Sequence, residues 1–126
     1  FDEIMEKRQS IWKTYHSGLQ VLEEQGKLTR QFIPEYAKHN AHMYFIVLPT
    51  NQVRSKLIDY LKKSNISAYF HYVPLHSSPM GESLGYTSEM LPKTEDYAER
   101  LLRLPLYADM TKEEANFVID TINKFM

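Results

Sequence analysis

Apolar residues recur at helical spacing from Asp2 to about Glu24, at Ile4, Ile11, Trp12, Tyr15, Leu19 and Leu22. The pattern predicts one long helix, stopped at Gln25-Gly26. At 1.5 Å per residue it would extend on the order of 35 Å. Gly18 lies inside it, at a cost of about 1 kcal/mol relative to Ala, which points to a close packing contact there. Two readings of this helix stand on the pattern alone: an ordinary first helix, or one that bridges two domains.

Leu28 to Ile33 is a short extended candidate stopped by Pro34, and Glu35 to Asn40 is polar and loop-like. Met43 to Leu48 reads as a buried strand, rich in aromatic and β-branched types and closed by Pro49. Asn51 to Ser64 carries Val53, Leu57, Tyr60 and Leu61 on one helical face. Ile66 to Val73 alternates as a second strand and ends at Pro74. Pro74 to Pro92 holds three prolines and two glycines; irregular loops of this length usually carry function or are disordered. Thr94 offers an N-cap for a short helix to about Leu102, with Glu95 and Asp96 in its first turn. Arg100 and Arg103 fall near its end, where positive charge offsets the helix dipole. Leu104 to Tyr107 is extended, and Pro105 argues for an edge strand. Thr111 and Glu114 are spaced as a capping box, and Ala115, Val118, Ile119, Ile122 and Phe125 follow at helical spacing.

The order helix, strand, strand, helix, strand, helix, strand, helix predicts an α/β (α+β) fold in one domain across residues 1–126. Three or four strands cannot bury both faces of a sheet cheaply. The expectation is therefore a two-layer sandwich, a small three- to four-stranded sheet with helices packed on one face.

Composition narrows the function classes. The 126 residues are 43% hydrophobic and 25% charged, as in soluble globular proteins. Fifteen Lys and Arg against sixteen Asp and Glu leave a net charge of -1, so no basic surplus points to nucleic acid. Cysteine is absent, which excludes disulfides and thiolate chemistry and fits a reducing compartment. The longest apolar run, Met43 to Leu48, is far short of the roughly 20 residues needed to span a bilayer. The start, Phe1-Asp2-Glu3, has no initiator Met, basic n-region or apolar h-region. It reads as a chain cut from something longer.

Four of the five histidines form two clusters, His39 with His42, and His71 with His76. Neither pair has an Asp or Glu at metal-ligand spacing and HEXXH is absent, so no metal site is expected. His39 and His42 read as hydrogen-bonded histidines near a strand end. His71 and His76 bracket a strand exit in the run Phe70-His71-Tyr72-Val73-Pro74-Leu75-His76, followed by the Pro/Ser/Gly loop. That arrangement suits a wall for a polar, hydroxylated or phosphorylated ligand; it equally suits packing of a strand terminus. No nucleophile elbow, phosphate-binding glycine loop or paired carboxylate is present.

The run His71-Tyr72-Val73-Pro74-Leu75-His76-Ser77-Ser78-Pro79, taken with Glu99-Arg100-Leu101-Leu102-Arg103-Leu104-Pro105-Leu106-Tyr107, resembles the C-terminal small domain of DegT/StrS-type sugar aminotransferases. These are pyridoxal-phosphate (PLP) enzymes of fold type I. Within the family the resemblance is to the transaminases that form dTDP-4-amino-4,6-dideoxygalactose. His39-Asn40-Ala41-His42-Met43-Tyr44 and Met110-Thr111-Lys112-Glu113-Glu114 support it, and it covers essentially the whole chain. It implies transfer of an amino group from L-glutamate to the 4-keto carbon of a nucleotide-linked 6-deoxy sugar, with the cofactor as electron sink. It also implies that the Schiff-base lysine, the partner of the pyridine nitrogen and most phosphate contacts lie in a large domain preceding this one. None of the ten lysines here stands in the family's Schiff-base context. His71, Tyr72 and His76 match the family's motif positions, which makes them the candidate contacts to the nucleotide sugar. The first helix, residues 1–25, matches the helix joining large to small domain. A cytoplasmic homodimer serving surface polysaccharide synthesis is implied for the complete protein. The alternative expectation is a free-standing ligand-binding or interaction module without catalysis.

Overall fold

Apolar positions sort onto one side of a sheet in the computed structural model, which describes residues 2–34, 41–70, 78–85, 87 and 92–126. In chain order the elements are α1 (Asp2–Gly18), α2 (Gln20–Glu24), β1 (Thr29–Arg30), β2 (Tyr44–Val47), α3 (Asn51–Lys63), β3 (Tyr69–Phe70), α4 (Pro79–Ser83), α5 (Pro92–Arg100), β4 (Leu101–Leu104) and α6 (Lys112–Phe125). The strands form one sheet in the order β1-β2-β4-β3, every neighbouring pair antiparallel. Tyr44 stands opposite Leu104 and Ile46 opposite Leu102. Because side chains alternate along a strand, these four share a face, and all are buried. Phe45, Arg103 and Tyr69 form a row on the other face.

The helical layer closes over the first face. Ile11 and Tyr15 from α1, Leu19 between α1 and α2, Leu57 and Leu61 from α3, and Ala115, Val118, Ile119 and Ile122 from α6 join the strand residues in one core. Gly18 is the close contact its position suggested: a Cβ there would lie 2.6 Å from Ile119 Cδ1 and 3.1 Å from Cγ2. Helix α6 opens on the expected capping box. Thr111 Oγ1 accepts from Glu114 N at 3.1 Å, and the Glu114 carboxylate accepts from Thr111 N at 3.4 Å. Thr50 caps α3 the same way, its side chain accepting from Val53 N.

The two-layer architecture is as expected, whereas several boundaries differ. The long first helix is two segments, divided at Leu19, where φ −102 and ψ 1 depart from helical values. Leu19 N still donates to Tyr15 O and Glu23 N to Leu19 O, so the break bends the ladder more than it cuts it. The extended stretch from Leu28 to Ile33 pairs only at Thr29–Arg30. Of the strand expected over Ile66 to Val73, the described part is Tyr69–Phe70, and 71–73 lie outside the described residues. Within the expected loop, Ser78 caps the short helix α4 by accepting from Gly81 N. Helix α5 begins at Pro92 and ends at Arg100, not Leu102. The largest correction concerns Leu101–Leu104. This is a strand held between β2 and β3 in the interior of the sheet, not an edge strand over Leu104 to Tyr107. Pro105 follows it directly and cannot donate to a ladder. Arg103 is therefore a strand residue, with no helix dipole to offset.

A cleft at the end of the sheet

Three reversals of the chain meet at one end of the sheet. Helix α3 closes in a Schellman turn: Ile66 N donates to Leu61 O at 2.9 Å and Asn65 N to Lys62 O at 3.0 Å. Asn65 takes the left-handed conformation the turn demands, at φ 61. Both Leu61 and Ile66 are buried, and the turn sets Ser64–Ser67 as one wall of a cleft. The second wall is the exit from β4, Pro105–Tyr107, with Met110. It is fixed from inside by Tyr15, whose Oη donates to Pro105 O at 2.5 Å and lies 3.8 Å from Met110 Sδ. Burial pushes the Tyr15 phenol well above its usual range, with Tyr107 and Glu114 adding to the effect, so it remains a neutral donor. The third wall is the start of α6, which presents Glu113, Glu114 and Phe117.

The cleft so formed has a volume of about 820 Å³, within the ~300–1,000 Å³ typical of small-molecule sites. Its rim is aromatic: Tyr69, Tyr107 and Phe117 are all about half exposed or more. Tyr107 Oη donates to Glu114 Oε2. That bond holds the Glu114 carboxyl below the usual carboxylate range, the Thr111 amide helping, and holds the Tyr107 phenol above its own. Arg103 also lines the cleft, half-buried and side by side with Tyr69 across β3 and β4. Three other arginines are engaged in the fold. Arg30 bonds Glu23 and the His16 carbonyl, Arg54 the Ala98 carbonyl, and Arg100 Asp96 and the Leu48 carbonyl. Among the described residues Arg103 has no such partner.

A second constellation supports α1 against β2. The Trp12 ring stacks on His16 at 4.6 Å, Tyr15 stacks on Tyr44 at 5.3 Å, and His16 Nδ1 lies 3.1 Å from Tyr44 Oη. Burial raises the Tyr44 phenol well above its usual range, against the lowering pull of Arg30. The sequence pattern had marked Trp12 and Tyr15 only as apolar helix positions.

Of the residues singled out from sequence, His42 lines the cleft beside Met43. His71, Tyr72 and His76 lie outside the described residues, as does His39; the first two follow β3 directly in the chain. Arg103, Tyr69, Tyr107 and Glu114 were not singled out as binding residues. The one available signal was the alternation Leu102-Arg103-Leu104, which puts a lone charge on the face opposite two core leucines. The chemistry on offer is binding: one cation, two carboxylates, hydroxyls and aromatic surface. A PLP anchor requires a lysine amine held in a site, and here no lysine lines the cleft and none of the described lysines is buried. The described residues of this chain thus do not fit the covalent anchoring of PLP. No helix among the described residues is long and apolar enough to cross a membrane.

Comparison with known proteins assigns the family. The chain is 33% identical over 129 residues to an uncharacterised protein of Methanocaldococcus jannaschii, covering 98% of this chain and 33% of that protein. It is 28% identical over 126 residues to the spore coat polysaccharide biosynthesis protein SpsC of Bacillus subtilis, covering 96% of this chain and 32% of SpsC. It thus spans about a third of the length of these curated relatives. Among solved structures, Spr1654 of Streptococcus pneumoniae in its PMP form superposes with a TM-score of 0.89 at 23% identity, covering 99% of this chain and 31% of that one. Its PLP form gives 0.85, covering 96% of this chain and 31% of that one, also at 23% identity. The sugar aminotransferase CalS13 of Micromonospora echinospora gives 0.80 at 15% identity over 98% of this chain and 31% of its own. The fold is that of the C-terminal domain of fold type I aminotransferases. The model of the DegT/DnrJ/EryC1/StrS aminotransferases matches residues 1–123, and the chain belongs to that family.

Proposed function

We propose that this chain is the C-terminal domain of a PLP-dependent sugar aminotransferase. The complete enzyme moves an amino group from L-glutamate to the 4-keto carbon of dTDP-4-keto-6-deoxy-D-glucose, giving dTDP-4-amino-4,6-dideoxy-D-galactose for surface polysaccharide synthesis. The observation that carries the reading is the family match over residues 1–123. The choice of sugar rests on the paired motif runs at His71–Pro79 and Glu99–Tyr107. SpsC, named for spore coat polysaccharide biosynthesis, supports the polysaccharide setting.

The chain's share of the work is to bind and orient. Its relatives are about three times its length, and no described lysine stands in its cleft. Both observations favour a preceding large domain as the holder of the cofactor-anchoring lysine, so the 126 residues alone are inactive. In this reading α1 connects the two domains, and His71, Tyr72 and His76 contact the nucleotide sugar. The complete protein works as a cytoplasmic homodimer.

The location of the anchoring lysine is the direct test. The complete protein is loaded with PLP, reduced with borohydride, digested and mapped by mass spectrometry. The expected result is one pyridoxyl-lysine, outside these 126 residues. A single modified lysine within them would overturn the reading.

A further inference from the structure

We propose that Arg103 is the residue that receives the diphosphate of the nucleotide sugar, beside Tyr69 in the cleft. The inference rests on the reading of the complete protein as a sugar aminotransferase, and adds a specificity-determining residue to it. Three observations carry it. First, Arg103 lies in the interior strand β4, its register fixed by Phe45 on one side and Tyr69 on the other. A strand paired on both sides fixes the backbone position from which the guanidinium extends, more tightly than a loop would. Second, it is half-buried in a cleft and makes no hydrogen bond or ion pair among the described residues, whereas Arg30, Arg54 and Arg100 all do. Its planar fork matches phosphate oxygens two at a time. Third, the cleft lining carries both a cation and carboxylates. The carboxylates of Glu113 and Glu114 stand on the α6 wall, where they repel an anion and accept hydrogen bonds from hydroxyl groups. A ligand with an anionic part and a polyol part is matched by both, the anion at Arg103 and hydroxyl groups at the carboxylates. Tyr69, 64% exposed, offers a ring face beside the anion, suited to a base or ribose.

The carboxylates of L-glutamate are the competing anions, and kinetics separates the two. In the complete protein, Arg103→Ala should raise KM for the nucleotide sugar by about tenfold, the scale of a lost charge-assisted hydrogen bond. KM for L-glutamate should stay within twofold, and Arg103→Lys should recover part of the loss. Calorimetric titration with dTDP alone gives a readout independent of the reaction. Wild-type protein binds dTDP, and Arg103→Ala binds it about tenfold more weakly. Equal dTDP affinity in both proteins, or no dTDP binding by wild type, overturns the proposal. So does a rise in KM for L-glutamate instead of the sugar, or a lowered melting temperature with both KM values unchanged. Wild-type protein that binds dTDP through Arg103 yet transfers no amino group would refute the aminotransferase reading and leave this one standing.

Discussion

Glu114 has two roles that sequence spacing separates poorly. Its side chain closes the capping box with Thr111 and also accepts from Tyr107 across the cleft wall. Only the first is legible as a motif, because capping is local, whereas the Tyr107 contact depends on how the chain leaves β4. The hydrogen bond from Tyr107, then that from the Thr111 backbone, hold the Glu114 carboxyl below its ordinary value. A carboxyl whose folded-state pKa is depressed contributes stability that is present above its unfolded value and lost as pH falls through the folded one. The urea midpoint of wild-type protein should therefore drop more steeply than that of Glu114→Gln as pH descends below the ordinary glutamate value of about 4.3. Parallel curves for the two proteins would show that the bond does not operate. The imidazoles proposed to touch the sugar belong to the same scale. His71→Ala and His76→Ala, made singly in the complete protein, should each weaken apparent sugar-nucleotide affinity or turnover several-fold. That is the scale of one hydrogen bond to an uncharged group, about 0.5–1.5 kcal/mol. Wild-type values of both quantities would remove these residues from the site.

Between elements, the decisive contact is α1 on α6, and here the sequence carried real information. A glycine within a helical run costs stability unless something needs the space, and at Gly18 the space holds Ile119. Gly18→Ala should destabilise the fold by about 1–2 kcal/mol, because overpacking a filled contact outweighs the gain in helix propensity. Ile119→Val removes Cδ1, the atom a new Cβ would strike. Paired with it, Gly18→Ala should cost clearly less, so the double variant falls short of the sum of the singles in denaturant titrations. Strict additivity would mean that the two side chains do not meet as described. The same scale explains where the sequence misled. Thr94 as a cap, with Glu95 and Asp96 after it, predicts a helix that runs on to about Leu102. The backbone instead pairs Leu101–Leu104 with Tyr44–Val47, since four ladder residues and two buried leucines outweigh local propensity. Arg103 was misread with that strand, and the cleft could not be assembled without it. By contrast α3 is legible from its apolar spacing at Val53, Leu57, Tyr60 and Leu61, and α6 from its spacing together with the Thr111 capping box.

At the scale of the molecule, one core holds both layers together, and the cleft lies where α3, β4 and α6 end or begin. Such a position is a product of topology: Ser67, Arg103 and Phe117 are distant in sequence and meet only once the sheet order β1-β2-β4-β3 is set. The near-neutral charge of -1 supplies no broad basic field, so the proposed diphosphate contact rests on Arg103. The central claim is that this fold serves amino transfer to a nucleotide-linked keto sugar. Its most direct test is to supply the complete protein with PLP, nitrogen-15-labelled L-glutamate and dTDP-4-keto-6-deoxy-D-glucose, and to follow the label by mass spectrometry. The expected result is labelled dTDP-4-amino-4,6-dideoxy-D-galactose in equal amount to 2-oxoglutarate, with none formed by the 126 residues alone. Label that stays on glutamate whichever nucleotide keto sugar is offered, or transfer catalysed by the isolated chain, would contradict the account.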